Sequence, residues 1–193
     1  IWAKAAPARA ELAAGYEAAD SLAVDGHKWL NVPYDSGVTL VREPDHLRAA
    51  MSISAAYLPD AAVREPYDYT PECSRRMRAT EIWAVLASLG QAGLADLIET
   101  CCRQASMLAE GLAGAGYAVL NEVRLNQVMV SFGDDERTAR VIEGLQADGT
   151  AWCGGTHWHG RAAMRISFSS HATTDADVAK TLAAILRVAR SNR

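Results

Sequence analysis

The sequence lacks the features that would assign it to nucleic acid, a membrane or a disulfide-bonded scaffold. Its net charge of -4 and pI near 5.7 exclude the basic excess typical of nucleic-acid binding. No apolar run approaches the roughly 18 residues that a bilayer-spanning helix needs. The four cysteines lack the spacing of a disulfide framework, so we expect free thiols in a reducing cytoplasm. We therefore expect neither nucleic acid nor membrane as a partner.

The first residues of the chain do not show the pattern of a signal peptide. The chain opens on Ile1-Trp2-Ala3, without a charged region followed by an apolar one. We interpret the chain as a fragment of a longer protein. Its 193 residues, 50% of them hydrophobic, still suffice to bury a core of about one domain.

Two short apolar runs near the N-terminus predict strands, at 21–24 and 38–42. The second is expected to be buried, because β-branched residues dominate it. Between the runs, Pro33 and Gly37 favour a turn. Lys28 is therefore expected to be exposed at the end of a strand in an α/β sheet.

The remaining chain alternates helical and strand patterns. Apolar residues recur at helical spacing from Ser74 to residue 112, and Gly90 and Gly93 predict a kink or two helices there. Further strands are predicted at 117–120, 128–132, 150–152 and 164–168, and helices at 136–147 and from Asp175 onward.

Lys28 has the chemistry to form a Schiff base with an aldehyde. Such a lysine must be reachable and partly deprotonated, and partial burial lowers the pKa of an amine. The residues alone leave open whether Lys28 is a functional amine or a solvated surface charge.

The segment around Lys28 resembles a known family. Residues 19–37, with Asp25-Gly26-His27-Lys28-Trp29 at their centre, closely resemble the cofactor-lysine segment of the group II pyridoxal-phosphate (PLP) amino-acid decarboxylases. That family includes the aromatic amino-acid, tyrosine, histidine and glutamate decarboxylases. Three further motifs resemble the family in the same order: Ser74-Arg75-Arg76-Met77-Arg78, Asn126-Gln127-Val128 and Arg165-Ile166-Ser167.

The resemblance implies an α/β fold, the C-terminal part of a fold type I PLP enzyme of the aspartate aminotransferase type. Residues 1–73 would end the PLP-binding large domain, with the lysine segment and a catalytic loop. Residues 74–113 would be linking helices, and residues 114–193 a small α+β C-terminal domain. The phosphate loop, the ring-stacking histidine and the aspartate on the pyridine nitrogen lie before the lysine in this family. We therefore expect the chain alone to be inactive.

The resemblance also implies roles for single residues. Lys28 would bind PLP as an aldimine, and His27 would pack beside the cofactor, near its phosphate and the substrate carboxylate; a hydrogen-bonded turn histidine is the alternative. Arg165 would meet the α-carboxylate of the substrate, and a structural ion pair is the alternative. Arg75 and Arg76 would anchor the helix start and the subunit interface.

Tyr57 is the expected proton donor. It lies in the aperiodic stretch 52–72, and long aperiodic loops in compact domains are usually functional or disordered. In the family, a loop tyrosine from the neighbouring subunit reprotonates the intermediate, and a phenol suits that role where water is excluded. Tyr67 and Tyr69 are alternatives, and so is a Tyr57 that only packs under the loop.

The activity that the resemblance implies is decarboxylation of an L-amino acid to its amine and CO2, in a cytoplasmic homodimer that shares its active sites. Another PLP reaction, such as transamination, aldehyde synthesis or carbon–carbon lysis, is the alternative, as is a non-catalytic dimerisation module. The sequence does not identify the amino acid. Cys153, His157 and His159 lack a fourth ligand for zinc, so we expect a glycine-rich hairpin there and no metal.

Overall fold

Two antiparallel sheets organise the chain in a computed structural model, which describes residues 1–53, 55 and 63–192. The first sheet pairs β1 (Ser21–Asp25) with β2 (Gly37–Val41). The second has four strands in the order β3-β4-β6-β5. These strands are β3 (Ala118–Val119), β4 (Gln127–Ser131), β5 (Gly154–Trp158) and β6 (Arg161–Ser167).

The described residues form five α-helices. They are α1 (Gly26–Trp29), α2 (Pro44–Met51), α3 (Ala79–Gly114), α4 (Asp135–Asp148) and α5 (Asp175–Ser191). Short 3-10 helices cover Trp2–Ala5, Pro7–Ala13, Tyr16–Ala18 and Pro66–Tyr69. The helices at 136–147 and from Asp175 are confirmed to within about a residue. The expected glycine-rich hairpin at 153–159 is present as β5 and its turn into β6, although β6 begins at Arg161, three residues before the predicted strand.

Side-chain caps explain where the last two helices begin. The Asp134 carboxylate accepts a hydrogen bond from the Arg137 backbone at 2.7 Å, and this satisfies a free amide at the start of α4. Thr174 and Asp177 form a capping box at the start of α5, each side chain accepting from the other's backbone. Both signals are readable in the sequence, which is why these helix starts are predicted well.

The core lies between the second half of α3, the four-stranded sheet and α5. Its fully buried side chains come from all three elements: Ile98, Leu108, Leu112, Val128, Val130, Met164 and Ile185. Trp29, Leu30 and Val32, which follow Lys28, belong to the same cluster. The turn that carries the lysine is therefore attached to this core.

The kink expected in the long helix is confirmed at Gly90. Its φ of 60° and ψ of -172° interrupt the helical backbone within α3. The sequence contains no apolar run long enough to predict a membrane span. Among the described residues, however, α3 is long and apolar enough to cross a bilayer by length and composition alone. That is weak evidence, because core helices of soluble proteins pass the same test.

Three expectations about single elements are wrong. The strand near 38–42 exists as β2, but it is not buried: Leu40 is 45% exposed, since β2 pairs with β1 alone among the described residues. Residues 150–152 form no strand, because β6 pairs with β5 only from Gly154 onward. The long helix begins at Ala79, not Ser74. In addition, the sequence pattern did not predict helix α2.

Substitution of Gly90 by alanine should destabilise the fold. The Gly90 backbone lies in a region that is essentially restricted to glycine, so a Cβ there should cost about 1–3 kcal/mol. The midpoint of urea unfolding measures this cost. Gly114→Ala is the matched control, because it lies in the same helix with no atom within 4 Å of a new Cβ, and it should be neutral or slightly stabilising. Equal midpoints for both variants would show that the kink is not required.

Candidate active site

Lys28 lies at the end of a strand, as the sequence predicts. It follows β1 directly in the single turn of α1, and its side chain is 70% exposed. Its Nζ lies 2.5 Å from Oδ2 of Asp25, three residues earlier. The hydrogen bond from Lys28 is the main reason why the pKa of Asp25 is lowered, so this carboxylate is charged at neutral pH. An accessible amine with an adjacent anion therefore occupies the turn.

The residues after Lys28 hold the turn from beneath. Trp29, Leu30 and Val32 are buried, whereas Lys28 between His27 and Trp29 points to solvent. Because successive side chains of a helical turn point in different directions around its axis, these side chains can pack into the core while the amine of Lys28 stays outside. The motif thus combines an apolar anchor with a reactive group.

The His27 ring is fixed by Ser36, which lies directly before β2. Its Nδ1 lies 2.7 Å from the carbonyl oxygen of Ser36 and 3.1 Å from the Ser36 nitrogen, and a protonated Nδ1 satisfies the shorter contact. The Ser36 carbonyl also accepts from the backbone of Gly26 and of His27. The Tyr34 ring packs on the imidazole with centroids 4.1 Å apart. His27 is thus a hydrogen-bonded turn histidine beside the lysine, which is compatible with a role near the cofactor.

Asp35 connects the lysine turn to the start of α3. Its carboxylate accepts from Nε of Arg78 at 3.1 Å and from Nη2 at 3.3 Å, a bidentate arrangement. Arg76 reaches the Asp35 carbonyl and also pairs with Glu81 in the first turn of α3. Arg76 therefore anchors the helix start, as expected, and Arg78 adds a contact that the sequence did not suggest. These contacts attach the residues directly before α3 to the lysine turn.

The other two predicted site residues, Tyr57 and Arg165, lie outside the lysine turn in the sequence. Tyr57 lies outside the described residues. Arg165 lies on β6, exposed, with Met129 and Gly154 as its neighbours in the sheet. Among the residues that the structure describes, Arg165 forms no ion pair within 4 Å, so its guanidinium is available to an anion.

The buried cysteines give no second reactive centre. Within the described ranges, no group of three or more His, Cys, Asp and Glu side chains is arranged to hold a metal. Burial raises the pKa of Cys102 and of Cys153 to about 11, so both are protonated at neutral pH and weakly nucleophilic. Lys28 is thus the reactive group to which the geometry points.

Comparison with known proteins identifies the family. Residues 3–132 match the family described as the pyridoxal-dependent decarboxylase conserved domain, and the chain belongs to this family. It is 29% identical to the histidine decarboxylase of Drosophila melanogaster over 181 residues, which are 91% of this chain and 21% of that protein. The predictions of the family, of the fold and of pyridoxal phosphate as the family's cofactor are confirmed.

Solved structures show the same fold. Oryza sativa TDC, solved with PLP and tryptamine, superposes with a TM-score of 0.92 at 21% identity, over 98% of this chain and 42% of that chain. Catharanthus roseus tryptophan decarboxylase, solved with L-tryptophan, gives 0.85 at 20% identity, over 100% and 43%. The chain therefore spans less than half the length of the proteins that it matches.

The described residues around Lys28 fit the covalent attachment of pyridoxal phosphate. The fit rests on an exposed primary amine, a carboxylate that holds this amine in place, and a histidine with a fixed ring beside it. Sequence reasoning found Lys28 and His27 from the motif. It missed Asp25, although the spacing of three residues in Asp25-Gly26-His27-Lys28 is a signal for a contact across one turn.

The Asp35–Arg78 contact should make stability depend on pH. The pKa of Asp35 is lowered, first by the hydrogen bond from Arg78, so the contact stabilises the fold above the unfolded value of 3.8. That contribution is lost as the pH falls below 3.8 through the lowered folded pKa. We expect Asp35→Asn to reduce the urea midpoint at neutral pH and to match the original protein in acid, once Asp35 of the original protein is protonated.

Asp20→Asn is the control for this titration. Asp20 also faces an arginine, but its side chain is 99% exposed and 3.7 Å from Arg42, so its loss should change little at any pH. A variant Asp35→Asn whose midpoint follows that of the original protein across the whole titration would mean that the contact does not stabilise the fold.

Proposed function

We propose that the protein containing this chain is a pyridoxal-phosphate-dependent decarboxylase that converts an L-amino acid to its amine and CO2, with Lys28 as the covalent anchor. The observation that carries the proposal is the exposed amine of Lys28 in the Asp25-Gly26-His27-Lys28-Trp29 turn of a chain that belongs to the decarboxylase family. Relatives named for decarboxylation of histidine, tyrosine and aromatic amino acids support this reaction type.

The chain's own groups perform binding and proton transfer in this proposal. Bound pyridoxal phosphate supplies the electron sink that accepts the electron pair of the broken C–C bond. Lys28 would hold the cofactor covalently through its amine, and the Asp25 carboxylate 2.5 Å away positions that amine at the end of β1. His27, with its ring fixed by Ser36, forms one wall beside that amine.

Arg165 and Tyr57 complete the proposal. The exposed guanidinium of Arg165 is suited to a substrate carboxylate, because its fork can donate two parallel hydrogen bonds. Tyr57 donates the proton that replaces the lost carboxylate, from the neighbouring subunit of a cytoplasmic homodimer. The chain alone is expected to be inactive, because the family's remaining cofactor contacts precede the lysine segment.

Reduction with borohydride in the presence of pyridoxal phosphate tests the anchor. In the complete natural protein, peptide mapping should find the pyridoxyl group on Lys28 in clear excess over Lys180. Lys180 is a matched control within the chain: it is 73% exposed against 70% for Lys28, and it also pairs with an aspartate three residues earlier. Lys28→Arg should abolish labelling of that peptide alone. Equal labelling of Lys28 and Lys180 would contradict the assignment.

Substitution of Tyr57 by phenylalanine tests the proton donor. Loss of a general acid typically costs about 10²-fold or more, so amine formation by the complete protein should fall by that factor while the cofactor remains bound. The measurement is amine and CO2 production from a panel of L-amino acids. Tyr69→Phe is the control and should keep its activity; if it loses amine formation instead, the donor is wrongly assigned. A keto acid without amine would contradict decarboxylation itself.

A further inference from the structure

Asn31, three residues after Lys28, has an unusual backbone. Its φ is 56°, in the left-handed region that non-glycine residues other than Asn and Asp rarely enter. In this conformation its side-chain Nδ2 donates to the carbonyl oxygen of Trp29 at 2.8 Å, at the end of α1. The residue thus reverses the chain at the point where the lysine turn leaves its helix.

The same side chain reaches a segment far along the chain. Asn31 Nδ2 also donates to the carbonyl oxygen of Ser169 at 2.8 Å. Its Oδ1 accepts from the backbone nitrogen of His171 at 3.2 Å and lies 3.3 Å from the His171 Nδ1. Both ends of one amide are therefore engaged with residues 138 and 140 positions away.

The partner segment is firmly joined to the four-stranded sheet. Phe168, directly before Ser169, is buried. Its backbone exchanges hydrogen bonds with Asn126: the Phe168 nitrogen donates at 2.9 Å, and Nδ2 of Asn126 donates to the Phe168 carbonyl at 2.6 Å. Because Arg165 lies three residues before Phe168 on β6, the segment that meets Asn31 is continuous with the strand that carries Arg165.

We propose that Asn31 is a positioning residue that sets the distance between the lysine turn and strand β6. It rests on the proposed function, because its consequence is the placement of Arg165, a carboxylate-binding group, relative to Lys28. Asn31 itself touches neither cofactor nor substrate in this proposal. Its left-handed backbone orients the amide, and the amide joins the two segments.

Hydrogen exchange in the complete natural protein tests the connection without reference to activity. Asn31→Gly keeps a residue that accepts the left-handed backbone but removes the amide. Loss of its contacts should speed amide exchange roughly tenfold in both 26–32 and 169–173. Asn31→Asp, which keeps the acceptor but loses the donor, should give a smaller increase in both segments. An increase confined to 26–32 would overturn the proposal, because Asn31 would then act only within its own turn.

Two further variants separate positioning from general stability. Asn121→Ala removes an amide that accepts from Met129 at 2.8 Å and donates to Gln127 at 3.1 Å, in the connection between β3 and β4, and should leave both segments unchanged. His171→Ala removes one contact from the far side and should speed exchange in 26–32 as well as around 171. Exchange in 26–32 that does not respond to His171→Ala would contradict a coupling between the segments.

Borohydride labelling gives a second readout. Asn31→Gly should lower the ratio of pyridoxyl-Lys28 to pyridoxyl-Lys180, with a urea midpoint equal to that of Asn121→Ala. An unchanged ratio would overturn the positioning role. If the original protein shows no preference for Lys28, the proposed function fails instead, and the exchange data still decide whether Asn31 couples the two segments.

Discussion

Packing of Trp29, Leu30 and Val32 against the core is the interaction on which the candidate site depends. Burial of large apolar side chains of this kind contributes about 1.5–3 kcal/mol each, which exceeds what the exposed ion pairs around Lys28 can provide. The core cluster that receives them also contains residues of α3, β4, β6 and α5. The position of the amine is thus a property of the whole core, although the amine itself is in solvent.

Polar contacts then fix the direction of the turn. Asp35 meets Arg78 at one end, and Asn31 meets the segment after β6 at the other. Residues 31–35 therefore lie between two long-range attachments, one to the start of α3 and one to the sheet. Packing fixes where the turn is, and these contacts fix how it is oriented.

The sequence predicted the parts of the fold that are determined locally. Helices with side-chain caps and the hairpin of β5 and β6 carry their signals in neighbouring residues. The exposure of β2 could not be predicted, because burial of a strand depends on what packs against its faces and not on its own residues. The contact of Arg78, directly before α3, with Asp35 could not be predicted either, because the two residues are 43 positions apart and meet only in the folded chain.

The residues of the candidate site also differ in whether the sequence alone could identify them. Lys28 and His27 were identified by a contiguous motif, whereas Asp35 and Asn31 act through partners that only the folded chain brings near. Ser36 has a different character. Its carbonyl oxygen accepts from Gly26 and His27, and its hydroxyl is buried without a hydrogen-bond partner among the described residues. Because every residue offers that carbonyl, Ser36 contributes a small volume and a backbone path to the position of the histidine, and not a functional group.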